Sequence, residues 1–298
     1  MGKRKRRDVA HDIYCRLRRA YETGRGRSRH EDKTHGEDIK YIYSARTYDT
    51  YRQQGKAFAS FAKARGCKTL DEAKEIVGEY LQALIDDGKS SYSIRTAASA
   101  IGKIYGVDYG TFGVEMPTRK RSEIKNNRGE SKMIASGHIS AVSAEKYASI
   151  LRCIGLRRSE ALLARGADLI RKDDKYFVRV PRGKGGRSRE AVVQGTQEEI
   201  NEVIKLFEEA KERGTHGGDP HVWPAGIPKN IPVHRYRAEY AEKVYKACAR
   251  PIEALERRDK YFCRGDLKGI VYDRQALAYV SAQLGHTRVS VVAVNYLH

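Results

Sequence analysis

The sequence predicts a mainly α-helical protein with a small β-sheet, built as two domains joined by a basic linker. Three observations predict it. From residue 44 to 106 apolar side chains recur at three- and four-residue steps, the spacing of helices that each bury one face. The pattern lapses between residues 112 and 132, where Pro117, Arg119-Lys120-Arg121, Asn126-Asn127 and Gly129 carry linker chemistry. Beyond it, alternating runs at 176–180 and 189–193 flank a glycine-rich basic tip, the pattern of a single β-hairpin in an otherwise helical domain. The expected divisions are a basic arm at 1–40, a helical domain at 41–112, a linker at 113–132 and a second domain at 133–298.

With 298 residues the chain is long enough to bury two cores, and 40% hydrophobic with 9% aromatic residues is the composition of a folded protein. Lysine and arginine number 58 against 38 acidic residues, a net charge of +20. An excess of that size calls for a polyanionic partner, and nucleic acid is the first candidate. An anionic membrane is the competitor, but neither a long apolar span nor a basic amphipathic helix with large aromatics supports it. The run Lys3-Arg4-Lys5-Arg6-Arg7 leads into Asp8 and His11, not into the apolar core of a secretory signal. Cys15, Cys67, Cys153, Cys248 and Cys263 are odd in number and widely spaced, as in a reduced, cytosolic protein that uses cysteine mostly as core filler.

Taken in order, Arg16, Arg18, Arg19, Arg25, Arg27 and Arg29 extend the basic character of the first residues, which reads as an arm touching phosphates without reading bases. Three helices are expected next, at about 45–64, 69–87 and 90–106; Thr69 caps the second and Gly106 ends the third. Lys56, Arg95 and Lys103 on these helices, and Arg119, Lys120 and Arg121 in the linker, are the candidate phosphate contacts. Gly88-Lys89-Ser90 is no P-loop, because Ala83 stands where its first glycine should be. His30 and His35, like His216 and His221, are five apart, not the i, i+4 of a helical zinc pair, so no metal site is expected. In the second domain a helix after Ser140 ends at Gly155 and another covers 156–164. The hairpin follows, its tip Arg182-Gly183-Lys184-Gly185-Gly186-Arg187, with Arg182 and Arg187 as further DNA contacts. Helices are expected at 198–210, 234–249 and up to Leu284-Gly285-His286, with two short strand-like pieces inside 250–275. A valine-rich segment then leads to Tyr296.

Gly155-Leu156-Arg157-x-x-Glu160, Lys184 in a hairpin, His234-x-x-Arg237, Leu284-Gly285-His286 and Tyr296, in that order, resemble the tyrosine recombinase (phage integrase) family. Each element alone is weak; the ordered set is specific. The likeness takes in the whole second domain, and the helical module before it resembles that family's core-binding, SAM-like domain. It implies a C-terminal α+β catalytic domain in which Tyr296 attacks a phosphodiester. Charge builds on the non-bridging oxygens during such an attack, and Arg157 and Arg237 offer planar forks of donors suited to it. By the same resemblance His286 adds a donor, His234 accepts the tyrosine proton and Lys184 protonates the leaving 5′-oxygen. Glu160, one helical turn after Arg157, orients the arginines or a histidine and does not itself react. An unperturbed tyrosine, with pKa near 10, is only about 0.1% phenolate at neutral pH, so a proton acceptor is needed.

The implied product is a 3′-phosphotyrosyl bond and a free 5′-hydroxyl, made without metal or cofactor. The implied partners are double-stranded DNA attachment sites, three further copies in a homotetramer, and an accessory directionality factor, in the cytoplasm at the nucleoid. An integrase of a mobile element is the leading expectation. A chromosome or plasmid dimer resolvase shares its chemistry, a type IB topoisomerase shares the constellation, and a non-catalytic DNA-binding regulator is the alternative of another class. Three departures from the family stand out. Residues 250–275 lengthen the stretch between Arg237 and His286, ten residues separate His286 from Tyr296, one more than is usual, and only Leu297 and His298 follow Tyr296 here. The contact between copies is therefore expected from 250–275 or from the tyrosine segment.

Overall fold

Asp8 starts a helix where the charge pattern suggests an arm. Its carboxylate accepts the His11 amide at 2.9 Å and caps α1, Val9–Gly24. Val9, Ile13, Leu17 and Ala20 form one buried stripe; Arg18 and Arg19 are exposed, and Arg16, at the edge of the stripe, donates to the Ile104 carbonyl at 3.3 Å. The arm expected at 1–40 is thus corrected from Val9 onward: the charge is real, but it decorates a packed amphipathic helix. The computed structural model describes residues 8–119, 140–183 and 187–297. The Lys3-to-Arg7 run, Lys120, Arg121, Lys184 and much of the expected linker lie outside the described residues. By contacts the chain divides into two compact units, Met1–Ile124 and Lys125–His298.

In the first unit, α2 (Arg29–Thr34) is short and α3 (Ala45–Ala64) starts at Ser44, whose hydroxyl accepts the Thr47 amide. Gly55 lets α3 approach α1, since a Cβ there would lie 2.7 Å from Ile13 Cγ2. The single helix expected at 69–87 is two, α4 (Leu70–Glu75) and α5 (Val77–Asp86), because Ile76 leaves helical geometry with ψ 10°. The buried positions 70, 73, 77, 80 and 81 keep helical spacing across the bend, so periodicity does not register it. The last helix, α6 (Ser91–Tyr105), ends at Gly106. The core closes on Phe58, Leu81, Ile94 and Ile101, with the Phe58 and Phe61 rings 5.2 and 5.1 Å from Tyr80. Fully burying each such side chain stabilises the fold by about 1.5–3 kcal/mol.

Two of the expected DNA contacts turn towards the unit's own chain. Arg95 is half-buried and donates to Tyr109 Oη at 3.3 Å and to the Met116 and Pro117 carbonyls at 3.4 and 3.3 Å. Lys103 donates to the Asp38 carbonyl, and burial pushes its ammonium down to about 8. Both hold the unit's own chain together. Lys56 is exposed, and the Arg119 guanidinium lies 5.2 Å over the Tyr92 ring.

The second unit runs α7 (Ala141–Ile154), α8 (Arg158–Leu163), β1 (Leu169–Lys172), β2 (Lys175–Val180), β3 (Arg189–Val192), α9 (Gln197–Thr215) and α10 (Val233–Cys248). It continues with β4 (Lys260–Phe262), β5 (Val271–Asp273), α11 (Arg274–Leu284) and α12 (Val289–Asn295). The first three strands form an antiparallel sheet of order β1-β2-β3, with Val180 opposite Arg189. β1 extends the expected hairpin by one strand. β4 and β5 pair as a separate two-stranded sheet, inside the 250–275 segment. One core packs α7 and α9 under the larger sheet through Leu151, Ile154, Val178 and Phe207. A second gathers Tyr240, Leu277, Val280, Leu284, Val292 and Tyr296 from α10, α11 and α12. No described helix is long and apolar enough to cross a membrane. Cys153 and Cys263 are buried, whereas Cys15 and Cys248 are exposed, so core filling accounts for fewer cysteines than expected.

Candidate active site

Gly155 places the first arginine. It ends α7 in the left-handed region (φ 58°), where any side chain is strained, and a Cβ would meet the Tyr240 ring at 2.2 Å. The chain turns there, buries Leu156 and reaches Arg157 as the residue before α8. The Arg157 amide donates to Glu160 Oε2 at 2.8 Å and its Nη1 to Oε1 at 2.6 Å, so the two side chains are locked one turn apart. Arg158 diverges and donates to the Ile227 and Pro228 carbonyls at 2.8 and 3.1 Å, fastening the loop that leads to α10.

Arg237, one turn into α10, is 0% exposed. Its Nη1 donates to the Gly155 carbonyl, its Nη2 to the Leu284 carbonyl at 2.5 Å, and its Nε lies 3.4 Å from Tyr296 Oη. Burial pushes this guanidinium down to about 10, still charged at neutral pH. Arg157 Nη2 reaches the same Leu284 carbonyl at 3.2 Å. The C-terminal end of α11, where carbonyls lack helical partners and the helix dipole is negative, thus collects two guanidiniums.

The Leu284-Gly285-His286 turn follows from its residues. Leu284 is fully buried, Gly285 takes φ 67°, and the His286 amide closes back on the Ser281 carbonyl at 2.8 Å. His286 Nε2 then stands 3.4 Å from Tyr296 Oη. Tyr296 caps α12, its amide donating to the Val292 carbonyl at 3.0 Å, and it is 5% exposed. Tyr272 Oη donates to the Leu297 carbonyl at 3.0 Å, which pins the segment from upstream.

Glu160 is the hub. Besides Arg157 it accepts Arg189 Nη1 on Oε1 at 2.9 Å and Arg189 Nη2 on Oε2 at 2.6 Å, with Arg237 Nη1 at 3.9 Å. Burial alone would raise this carboxyl, but the Arg189 hydrogen bonds and charge, then the Arg157 amide and Arg237, hold it down at about 2. Its pKa is lowered on folding from an ordinary 4.5, so its contribution is fully present above that value and lost as pH falls towards about 2. Between pH 5 and 2 the wild type is expected to lose on the order of 3 kcal/mol of unfolding free energy through this group. Urea titrations across that range check it, and Glu160→Gln should flatten this part of the pH dependence.

The whole chain is similar to the XerH site-specific recombinase in its post-cleavage complex with palindromic difH substrate. The match covers 97% of this chain and 90% of that one at 14% identity, with a TM-score of 0.54. The fold is that of a tyrosine recombinase. Also similar are XerH in its pre-cleavage complex (15% identity, 97% and 92% covered, TM-score 0.48) and the Tn1549 transposon integrase with transposon right end DNA (12% identity, 98% and 95% covered, TM-score 0.43). No protein-family model and no curated sequence matches the chain.

Within this recombinase fold Arg157, Glu160, Arg237, His286 and Tyr296 converge. His234 is exposed in the first turn of α10. The acceptor expected for the tyrosine proton is His234; among the described contacts the ring at Tyr296 Oη is His286. Arg182 and Arg187 are exposed at the base of the hairpin tip, which Gly183 closes by donating to the Arg187 carbonyl at 2.7 Å. Arg189 and Gln283 are absent from the expected site. Gln283 is 8% exposed, and its Oε1 accepts the Val192 amide at 2.7 Å. For Arg189 the strand alternation carried a signal: it shares a strand face with Ala191, which is fully buried. For Gln283 there was none.

Proposed function

We propose that this chain is a site-specific DNA recombinase that cuts and rejoins strands through a 3′-phosphotyrosine intermediate. One observation carries the reading: the Tyr296 hydroxyl lies between a buried guanidinium and an imidazole, Arg237 Nε and His286 Nε2, each at 3.4 Å. In the proposed step the tyrosine oxygen bonds to phosphorus and the bond to the 5′-oxygen breaks. The tyrosine proton passes to an imidazole, His234 by the family resemblance, with His286, whose Nε2 lies 3.4 Å from the phenol, as the second candidate. Arg157 and Arg237 stabilise the charge gathering on the non-bridging oxygens. Lys184 protonates the departing 5′-oxygen. The ester conserves the bond energy, so a 5′-hydroxyl from a second duplex reverses the step on a new partner.

Arg237 has no accessible surface and Tyr296 almost none, so in this reading a phosphate reaches them only after part of the chain around them shifts. Binding and opening are coupled in this reading, and DNA supplies the differential contacts. The reading includes a homotetramer on two duplexes, with residues 250–275, where Phe262 and Ile270 are exposed, as the contact between copies. A mobile-element integrase is the setting proposed; paired repeats flanking the gene would support it over dimer resolution. The test of the chemistry uses a pool of nicked duplexes of randomised sequence. Wild-type protein should capture a subset covalently, as a band surviving denaturing electrophoresis that leaves a free 5′-hydroxyl. Duplex binding with no covalent product from any member of the pool would refute the reading.

A further inference from the structure

The buried carboxylate of Glu160 accepts four hydrogen bonds, which fill its lone pairs: two from Arg157 (amide and Nη1) and two from Arg189 (Nη1 and Nη2). Arg189 comes from the return strand of the hairpin, β3, and its side chain is buried in the cluster, 7% exposed. Its Nε donates to the Gln283 carbonyl at 2.9 Å, the residue before the one whose carbonyl accepts Arg157 and Arg237. Its Cδ packs against Gly285, where a Cβ would lie 2.9 Å away. One side chain therefore holds the carboxylate that orients Arg157 and the turn that delivers His286.

The charge arithmetic points the same way. Three guanidiniums around one carboxylate leave a local charge of +2, and a phosphodiester passes from −1 towards −2 as the nucleophile adds. Without Arg189 the carboxylate would draw on Arg157 and Arg237 for its partners, and the cluster would drop to +1. A buried carboxylate stripped of its main counter-ion is a costly group, so the remaining arginines would turn towards it and away from the phosphate.

We infer that Arg189 is a positioning residue of this site: it supplies two of the four hydrogen bonds to Glu160, so that the carboxylate draws less on Arg157 and Arg237, and it fixes the turn that carries His286. The inference rests on the proposed recombinase reading for the chemistry it serves. Arg189 touches no substrate atom in it.

The test is a double-mutant cycle of Arg189→Met and Glu160→Gln, read as the single-turnover rate of covalent capture on a nicked duplex recovered from the randomised pool. Arg189→Met should slow capture by about 100-fold with duplex affinity changed less than about threefold, the scale of losing one preorganised charge contact. Adding Glu160→Gln should restore about tenfold, since it removes the stranded charge; a coupling of that sign belongs to contacting residues. Arg189→Lys, which keeps the charge but not the fork, should fall between, and it replaces Arg189→Met in the cycle if the latter does not fold. A folded Arg189 variant that captures at the wild-type rate overturns the inference, as does a cycle in which the two losses simply add. An arm independent of recombination follows the Glu160 carboxyl carbon by NMR. It should titrate at higher pH in Arg189→Lys than in wild type, and an unchanged titration overturns the inference. Failure of the wild type itself to capture any duplex would count against the recombinase reading, with the NMR arm still deciding Arg189.

Discussion

Tyr296→Phe is expected to abolish covalent capture of DNA altogether while leaving the protein folded and able to bind duplex. The substitution removes a single oxygen. The ring stays where it is, 5% exposed among Leu284, Val292 and their neighbours, so the apolar burial that holds α12 is retained. The hydroxyl's described contacts are long, 3.4 Å to Arg237 and 3.4 Å to His286, and their loss should change stability by about 1 kcal/mol or less. Rate and stability therefore separate: no adduct on denaturing gels, a nearly unchanged urea midpoint, and a retained gel shift. Adduct in the Phe variant would move the nucleophile to another tyrosine. Tyr279, which is partly exposed, and Tyr272, which already donates to Leu297, are the nearest in sequence.

Arg237→Lys should be damaging on both counts. The guanidinium bridges three elements at once, the Gly155 turn, the end of α11 and the tyrosine, and it does so with no accessible surface. A lysine head is a single point and cannot span two carbonyls and a phenol. Each buried acceptor left unpaired costs about 1–3 kcal/mol, which a urea titration would detect directly. Losing one preorganised fork at the reacting phosphate should lower the capture rate by roughly 10²–10³-fold in the fraction that remains folded. An Arg237→Lys protein as stable and as fast as wild type would mean that the buried charge plays neither part.

Much of this was legible before any coordinates, for physical reasons. The Gly155, Gly285 and Gly106 helix ends follow from left-handed backbone that glycine alone adopts cheaply, and residues 176–180 and 189–193 alternate as half-buried strands do. The charged cluster was legible only as an ordered list, because Arg157, Arg237 and Tyr296 are far apart in sequence and meet through turns. What escaped came from side chains whose chemistry suggests solvent. Arg16, Arg18 and Arg19 read as a tail, although a stripe of Val9, Ile13 and Leu17 under them makes a helix of the first unit. Arg95 and Lys103 read as phosphate contacts, yet both turn inward to backbone carbonyls. Arg189 read as a strand residue, and its pairing with Glu160 bridges 29 positions that no local pattern connects. Arg95 and Lys103 found internal acceptors that nothing in their own segments announces, and for Arg189 strand alternation pointed inward without naming the partner.

The central claim is a bond between Tyr296 and DNA, and protease digestion of the trapped adduct followed by peptide mass spectrometry tests it most directly. The account predicts a 3′-phosphonucleotide on the peptide that contains Tyr296 and on no other. A nucleotide on a different tyrosine, or on a serine, would contradict it.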